Sequence, residues 1–214
     1  MVYFKDRAEA GQLLAKRLNK YRGGNPLVLA IPRGGVMVGA EIAKALECPL
    51  DLVVTRKIGA PANPELAIGA TTSKGGLILD YDLIEKLSVP KPYIKEEKFK
   101  QIEEAKRRER LFRGTRIEPE YLGRKIILVD DGLATGATME AAVRAVRDKM
   151  PEEIIIAVPV APSDTSERLR IEVDNLVCLF NPEPFFAIGE FYEDFNQVND
   201  EDVVEILEKS NFPN

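Results

Sequence analysis

Ile126-Ile127-Leu128-Val129-Asp130-Asp131-Gly132-Leu133-Ala134-Thr135-Gly136-Ala137-Thr138 joins an aliphatic run, an acidic pair and a loop of small and hydroxyl residues, in that order. The aliphatic run reads as a strand buried on both faces. The acidic pair stands at its carboxyl end. Behind the loop, Met139-Glu140-Ala141-Ala142-Val143-Arg144-Ala145-Val146 reads as a helix. A phosphate suits that helix start, because free backbone N–H groups and the helix dipole both point at it. Two carboxylates beside a phosphate are better placed to accept hydrogen bonds from vicinal hydroxyls. A diol followed by a phosphate describes a ribose 5-phosphate. The plainer reading is a strand-to-helix turn capped by Asp and Thr.

Outward from this unit the pattern repeats. Leu27-Val28-Leu29-Ala30-Ile31 is a short buried strand, Pro32-Arg33-Gly34-Gly35 a loop, residues 36–46 a helix, and Asp51-Leu52-Val53-Val54 a second strand. Residues 125–129, 153–158 and 175–180 read as three more strands, with helices at 137–149 and 163–171 between them. Such alternation argues for an α/β fold with a central parallel sheet of about five strands flanked by helices. Residues 6–19 open the chain as a helix; a last helix is capped by Asn199 or Asp200 and carries Val203, Val204, Ile206 and Leu207. The expected organisation is a single domain over residues 1–214, its core at 25–180. A lid-like segment is inserted at 55–115, and a small hood forms from 181–214, with the N-terminus as a further candidate part. Within the lid, strand candidates lie at 67–72 and 77–80 and a long charged helix at 92–113.

Composition narrows the function. The 214 residues are 45% hydrophobic and 30% charged, as in ordinary globular proteins. A net charge of −5 disfavours a nucleic-acid surface. No apolar run approaches the ~20 residues that cross a bilayer, and no charged-then-apolar leader opens the chain. The expectation is a cytoplasmic protein with no nucleic-acid and no membrane partner. Cys48 and Cys178 read as small buried hydrophobes rather than a disulfide. The chain contains no histidine, which removes every mechanism using His as acid, base or metal ligand. Transition-state electrostatics is then the main available tool.

The strand–loop–helix unit around Asp130 resembles the motif by which type I phosphoribosyltransferases bind 5-phosphoribosyl 1-pyrophosphate (PRPP). The resemblance implies that Asp130 and Asp131 hold the ribose hydroxyls. The loop from Gly132 and Leu133 through Ala134, Thr135, Gly136, Ala137 and Thr138 then holds the 5-phosphate. Pro32-Arg33-Gly34-Gly35 corresponds to the family's pyrophosphate loop, in which a non-proline cis peptide is common; here it would join Pro32 to Arg33. Gly34 and Gly35 let backbone amides approach an anion, and Arg33 adds a forked cation. The family's mobile catalytic loop begins near Thr55-Arg56-Lys57, which makes Lys57, then Arg56, candidates for pyrophosphate. Over residues 25–180 the resemblance is one of fold. Along the whole chain the sequence is similar to a bacterial and archaeal group within the family, through Pro32–Gly35, residues 56–65 and residues 191–198. Gly132 departs from the salvage enzymes, where a bulky aliphatic is common.

Two further segments admit two readings each. On the charged helix, Ile94, Ile102, Ala105 and Phe112 share a face with Lys98 and Glu109, and Arg107, Arg108, Arg110 and Arg113 follow. Either that face is solvated, or Arg110 or Arg113 reaches a phosphate when a lid closes. Residues 185–195 hold five aromatics. They are either a satellite core or the hood that stacks an acceptor base, with Ile188, Phe191 and Tyr192 as contacts and Glu190 as a polar reader.

The resemblance therefore implies a PRPP-dependent transferase acting on a small nitrogenous acceptor. Arg33, Lys57 and the Gly34 and Gly35 amides would stabilise the departing pyrophosphate. Mg²⁺ would be held mainly by PRPP, with Asp130 or Asp131 contacting it through water. A non-catalytic sensor of PRPP or a nucleotide is the alternative, followed by an enzyme acting on ribose 5-phosphate in another reaction; fold alone does not choose. The fold usually dimerises, so a homodimer is compatible with the resemblance, although no stretch marks an interface. Replacing Asp130 and Asp131 together by Asn is expected to abolish PRPP binding with folding intact.

Overall fold

Leu27, Val28, Leu29 and Ala30 are all fully buried, as a strand covered on both faces requires. They belong to β1 (Pro26–Ala30), which in this computed structural model lies inside a five-stranded parallel sheet. Residues 2–210 are described, Glu65 by its backbone alone. Residue 1 and the tail of the expected hood at 211–214 lie outside the described residues. After β1 and β2 (Leu50–Leu52), the chain builds a separate antiparallel sheet of β3 (Thr55–Ala60), β4 (Asn63–Thr72) and β5 (Leu77–Leu79). The main sheet is completed by β6 (Lys125–Val129), β7 (Glu153–Val160) and β8 (Asn175–Phe180), in the order β2-β1-β6-β7-β8.

Alternation along the strands divides the core into two layers. Val28, Ala30, Ile127, Val129, Ile155 and Ala157 face one layer. Its helices are α1 (Arg7–Leu18), α2 (Gly34–Leu46), α7 (Asp200–Lys209) and part of α4 (Lys91–Arg113). Leu27, Leu29, Ile126, Leu128, Ile154 and Ile156 face α5 (Ala137–Arg147) and α6 (Ser163–Arg170). Each fully buried Leu or Ile contributes roughly 1.5–3 kcal/mol relative to exposure. The first and last of the described helices are each capped at their N-terminus as local chemistry dictates. Asp6 accepts from the Glu9 amide at 2.8 Å to start α1. The Asp202 carboxylate accepts from the Asn199 amide at 2.8 Å in the capping box of α7.

The strand order reverses at β1: β2 pairs on one side and β6 on the other, both parallel. Ligands of open α/β sheets gather at the carboxyl ends of strands at such a switch point. Here those ends release Pro32-Arg33 and Asp130-Asp131.

The inserted segment is a built unit and not irregular coil. β3 begins directly at Thr55, and Ile58, Ala60, Ile68 and Val89 form a small core of their own. A short helix, α3 (Tyr81–Lys86), capped by Asp80, is present where periodicity showed none. Ala70 and Ile78 pack onto Ala141 of α5, and Ala105 and Phe112 of α4 enter the main core. Arg113 does not reach for a phosphate. Its Nη2 meets Asp51 Oδ2 at 3.0 Å and its Nη1 meets Glu109 Oε1 at 2.5 Å, with only a tenth of the side chain exposed. Arg110 is exposed.

Burial pushes the Asp51 carboxyl above its ordinary value, and Arg113 opposes that shift. Removing one member of a buried pair leaves the other uncompensated, at about 3 kcal/mol. Arg113→Met should therefore lower the free energy of urea unfolding by about 3 kcal/mol. Because the folded pKa of Asp51 is raised, its favourable contribution is full at acidic pH and is lost as pH rises through the folded value. The deficit of Arg113→Met should accordingly grow from acidic to neutral pH. An equal deficit at both would show that Asp51 is not the group left exposed to the change.

Candidate active site

A cleft of about 570 Å³ opens at the switch point. One wall carries Ile31, Pro32, Asp130 and Thr138, from the two loops of the main sheet; the facing wall carries Thr55, Arg56 and Lys57 of β3 with Tyr93, Lys100 and Arg108 of α4. The sequence candidates Pro32, Lys57, Asp130 and Thr138 thus line one cleft. Arg108, Lys100, Tyr93 and Gln101 complete it from α4. Their spacing along the helix follows a turn-by-turn stripe, but one of polar residues, which an apolar periodicity does not reveal.

The first loop approaches the second at the limit of contact. The peptide joining Pro32 to Arg33 is cis, as the resemblance implied. A Cβ added at Gly34 would lie 1.8 Å from Asp131 Oδ2, and one at Gly35 would lie 2.9 Å from the Asp130 Cα. Arg33 itself turns away. Its Nη1 stands 3.5 Å from Asp200 Oδ1 at the start of α7, and the side chain is not part of the cleft wall.

The second loop is held from behind. Leu133 is buried in the core and its amide donates to the Val160 carbonyl at 2.9 Å, so it is committed to the fold. Thr165 Oγ1 donates to the Ala134 carbonyl at 2.9 Å, and Arg168 donates to the Thr135 carbonyl. These bonds draw the carbonyls outward, toward α6. Gly136 has φ +75°, and a Cβ there would meet Thr165 Cγ2 at 2.9 Å. The helix then begins at Ala137, and its first-turn amides lack acceptors within the helix. The loop is thereby shaped as an anion cradle at a helix N-terminus.

The acidic pair is not symmetric. Asp131 is buried, and its Oδ2 accepts from Arg7 Nε at 2.7 Å. Tyr192 Oη donates to its backbone carbonyl at 2.6 Å. Asp130 faces the cleft, its Oδ1 accepting from the Asp131 amide at 2.8 Å. Burial, then the neighbouring Asp131 charge, push the Asp130 carboxyl well above the ordinary carboxylate value. Opposite it, burial and the Arg108 charge disfavour the Arg56 cation. Arg56 Nε donates to Gln101 Oε1 at 2.9 Å, and Gln101 Nε2 donates to Glu97 Oε1 at 2.7 Å, which aims the guanidinium. Asp130 thus faces a wall of cations that are partly met by carboxylates: Lys100 lies 3.5 Å from Glu97, which also lines the cleft, and Arg108 lies 3.0 Å from Glu104.

The aromatic segment resolves toward a core. Phe191 and Tyr192 are buried with Phe4 and Val160, and Tyr3 stacks on Phe180 at 4.3 Å between centroids. Glu190 is exposed. Ile188 lies against Gly132: a Cβ there would be 2.6 Å from Ile188 Cγ2. Ile188 therefore fills the space that a side chain at residue 132 would take.

The architecture and the paired loops define a type I phosphoribosyltransferase fold. The chain belongs to the phosphoribosyl transferase domain family, whose profile matches residues 5–194. It is 41% identical to the protein TT1426 from Thermus thermophilus, whose crystal structure superposes with a TM-score of 0.83 over 97% of this chain and 99% of that one. Two Mycobacterium tuberculosis proteins that carry a provisional phosphoribosyl transferase name are 40% identical over 210 residues, 98% of this chain and 47% of theirs. The chain thus spans about half the length of the curated relatives it matches. A Staphylococcus aureus hypoxanthine phosphoribosyltransferase, 12% identical, shares the fold with a TM-score of 0.50 over 86% of this chain and 77% of its own. No helix among the described residues is long and apolar enough to cross a membrane.

Asp131→Asn would leave the buried Arg7 uncompensated, so the double Asn substitution is not structurally silent. Asp130→Asn is the cleaner change. It removes a charge that burial and repulsion disfavour while its amide oxygen keeps the bond to the Asp131 amide. Sites built for ligands cost stability. Asp130→Asn is expected to raise the stability of the ligand-free protein at neutral pH by about 1 kcal/mol in thermal or urea unfolding. A loss of stability would show that the Asp130 charge is already compensated without ligand.

Proposed function

We propose that the protein transfers the 5-phosphoribosyl group of PRPP to a small nitrogenous acceptor with release of pyrophosphate. The observation that supports this reading is one cleft that holds a carboxylate at Asp130, Thr138 in the first turn of α5 just behind the small-residue loop, and cations at Arg56, Lys57, Lys100 and Arg108. PRPP has a diol, a 5-phosphate and a pyrophosphate in the matching arrangement. The acceptor nitrogen forms a bond to C1 as the bond from C1 to the pyrophosphate oxygen breaks, and the electron pair leaves with pyrophosphate. Asp130 orients the ribose through its hydroxyls. The amides from Ala134 to Thr138 anchor the 5-phosphate. Arg56, Lys57 and Arg108 stabilise charge growing on the leaving group, where preorganised electrostatics contributes most. Arg33 contributes through its backbone, since its side chain is turned to Asp200.

The residues fit a Mg²⁺ that arrives with the substrate. Among the described residues no three Asp, Glu, Cys or His side chains converge as a metal cage. Asp130, whose charge is disfavoured by its surroundings, is the group that would meet the ion through water, while Arg7 already occupies Asp131. When bound, the ion supplies neutralisation of phosphate charge. A cytoplasmic setting and a homodimer complete the proposal, on the sequence features and the habit of the fold.

The test is pyrophosphate release from PRPP and Mg²⁺ across a panel of purines, pyrimidines and other nitrogen compounds. Acceptor-dependent release is expected, and Asp130→Asn should reduce kcat/KM on the order of 100-fold. Release that needs no acceptor would point to a hydrolytic reaction. PRPP that raises the melting temperature yet is never consumed would make the protein a sensor. Wild-type kinetics in Asp130→Asn would remove the ribose assignment.

A further inference from the structure

Arg7 lies on the opening helix, far in sequence from the two loops, and only 7% of it is exposed. Its guanidinium touches three things. Nε donates to Asp131 Oδ2 at 2.7 Å, Nη1 donates to the Asn196 carbonyl at 2.9 Å, and its carbon sits 3.8 Å from the centroid of the Phe195 ring. We infer that Arg7 is a positioning residue that sets the ribose subsite through Asp131. The inference rests on the reading of the cleft as a PRPP site.

The geometry makes Asp131 a strut and leaves Asp130 as the ligand-facing carboxylate. Arg7 holds the Asp131 carboxylate, and the Tyr192 hydroxyl holds its carbonyl at 2.6 Å. The Asp131 amide in turn donates to Asp130 Oδ1 at 2.8 Å. The Asp130 carboxyl also lies within reach of the Asp131 carboxyl, and of the two it is Asp130 that lines the cleft where a hydroxyl or a hydrated cation would bind. A contiguous chain of contacts thus runs from Phe195 and Asn196, through Arg7 and Asp131, to Asp130. Stability alone explains the pair poorly, because burying two charges costs about as much as their attraction returns. Its place beside the carboxylate at the switch point explains it better: supporting groups that fix an orientation are what keep a site within reach of its productive geometry. The chain also ties the hood to the ribose end of the cleft, while the cationic wall on β3 and α4 is built from other elements.

That separation supplies the test. PRPP and inorganic pyrophosphate, each with Mg²⁺, are titrated into wild type, Arg7→Met, Arg7→Lys and Tyr192→Phe below their melting temperatures. Arg7→Met should bind PRPP about tenfold more weakly or worse, since small displacements of positioned groups carry large penalties. It should hold inorganic pyrophosphate as wild type does. Arg7→Lys should recover part of the PRPP loss. Combined with Asp131→Asn, the Arg7→Met loss should not add, as expected when one residue acts through the other. Unchanged PRPP affinity in folded Arg7→Met would overturn the inference, as would a parallel loss of both ligands, which marks general loosening. If Arg7→Met does not fold, Tyr192→Phe decides by the same criterion: a loss confined to PRPP supports the inference, and no loss or an equal loss sinks it. Wild type that binds pyrophosphate but not PRPP would instead remove the underlying reading of the cleft.

Discussion

Between β1 and β6 two strand–loop–helix units meet so closely that the space between their loops admits no side chain. The Gly34 backbone stands where a single methyl group would collide with the Asp131 carboxylate. Most features of the site follow from that approach. Asp131 has no room to swing, so its charge must be met where it is, and Arg7 meets it from α1. Asp130, the next residue back, then takes the outward position. A parallel pair of strands in unbroken register sets the whole arrangement, with Ala30 opposite Val129 as the last step before the loops diverge.

The insertion solves a different problem, that of holding cations near one another without a ligand. Like charges raise each other's cost, and a flexible loop would let them part. β3 and α4 instead fix Arg56 and Arg108 to one wall, and the Glu97-Gln101-Arg56 chain sets the angle of the guanidinium. The same helix anchors the wall. Arg113 follows Arg108 by five residues, a rotation of about 140° at 100° per residue, so it leaves the cleft and enters the main core to meet Asp51. One helix thus presents a cleft-lining arginine on one side and a fastening arginine on another. Sequence composition treats the two alike.

That contrast shows what was legible in the sequence. Strongly aliphatic strands and small-residue loops are local signals, so the sheet, the two loops and the acidic pair could be read directly. Lys57 could be placed near the same crevice because it follows a strand end, and it lines the cleft. The contacts of Arg33, Asp131 and Arg113 could not be read, because each meets a partner far along the chain: Asp200, Arg7 and Asp51. β3 was hidden by its short Thr-Arg-Lys-Ile-Gly-Ala run, in which alternation is broken near Gly59 by a register shift against β4. Gly132 looked like a departure from the family only because Ile188, which fills its space, is remote in sequence.

The charge pattern of the cleft also bears on how a multiply charged ligand reaches a protein of net charge −5. Exposed charges are screened beyond about 8 Å at physiological ionic strength, so the overall sign matters little near the cleft mouth. The local field there is set by Arg56, Lys57, Lys100 and Arg108, offset in part by Glu97 beside Lys100 and Glu104 beside Arg108, with the first-turn amides of α5 near by. Asp130 opposes that field from the loop wall and Glu97 from the helix wall. The cleft thus sets carboxylates and cations within one small space, and it does so in a chain that contains no histidine.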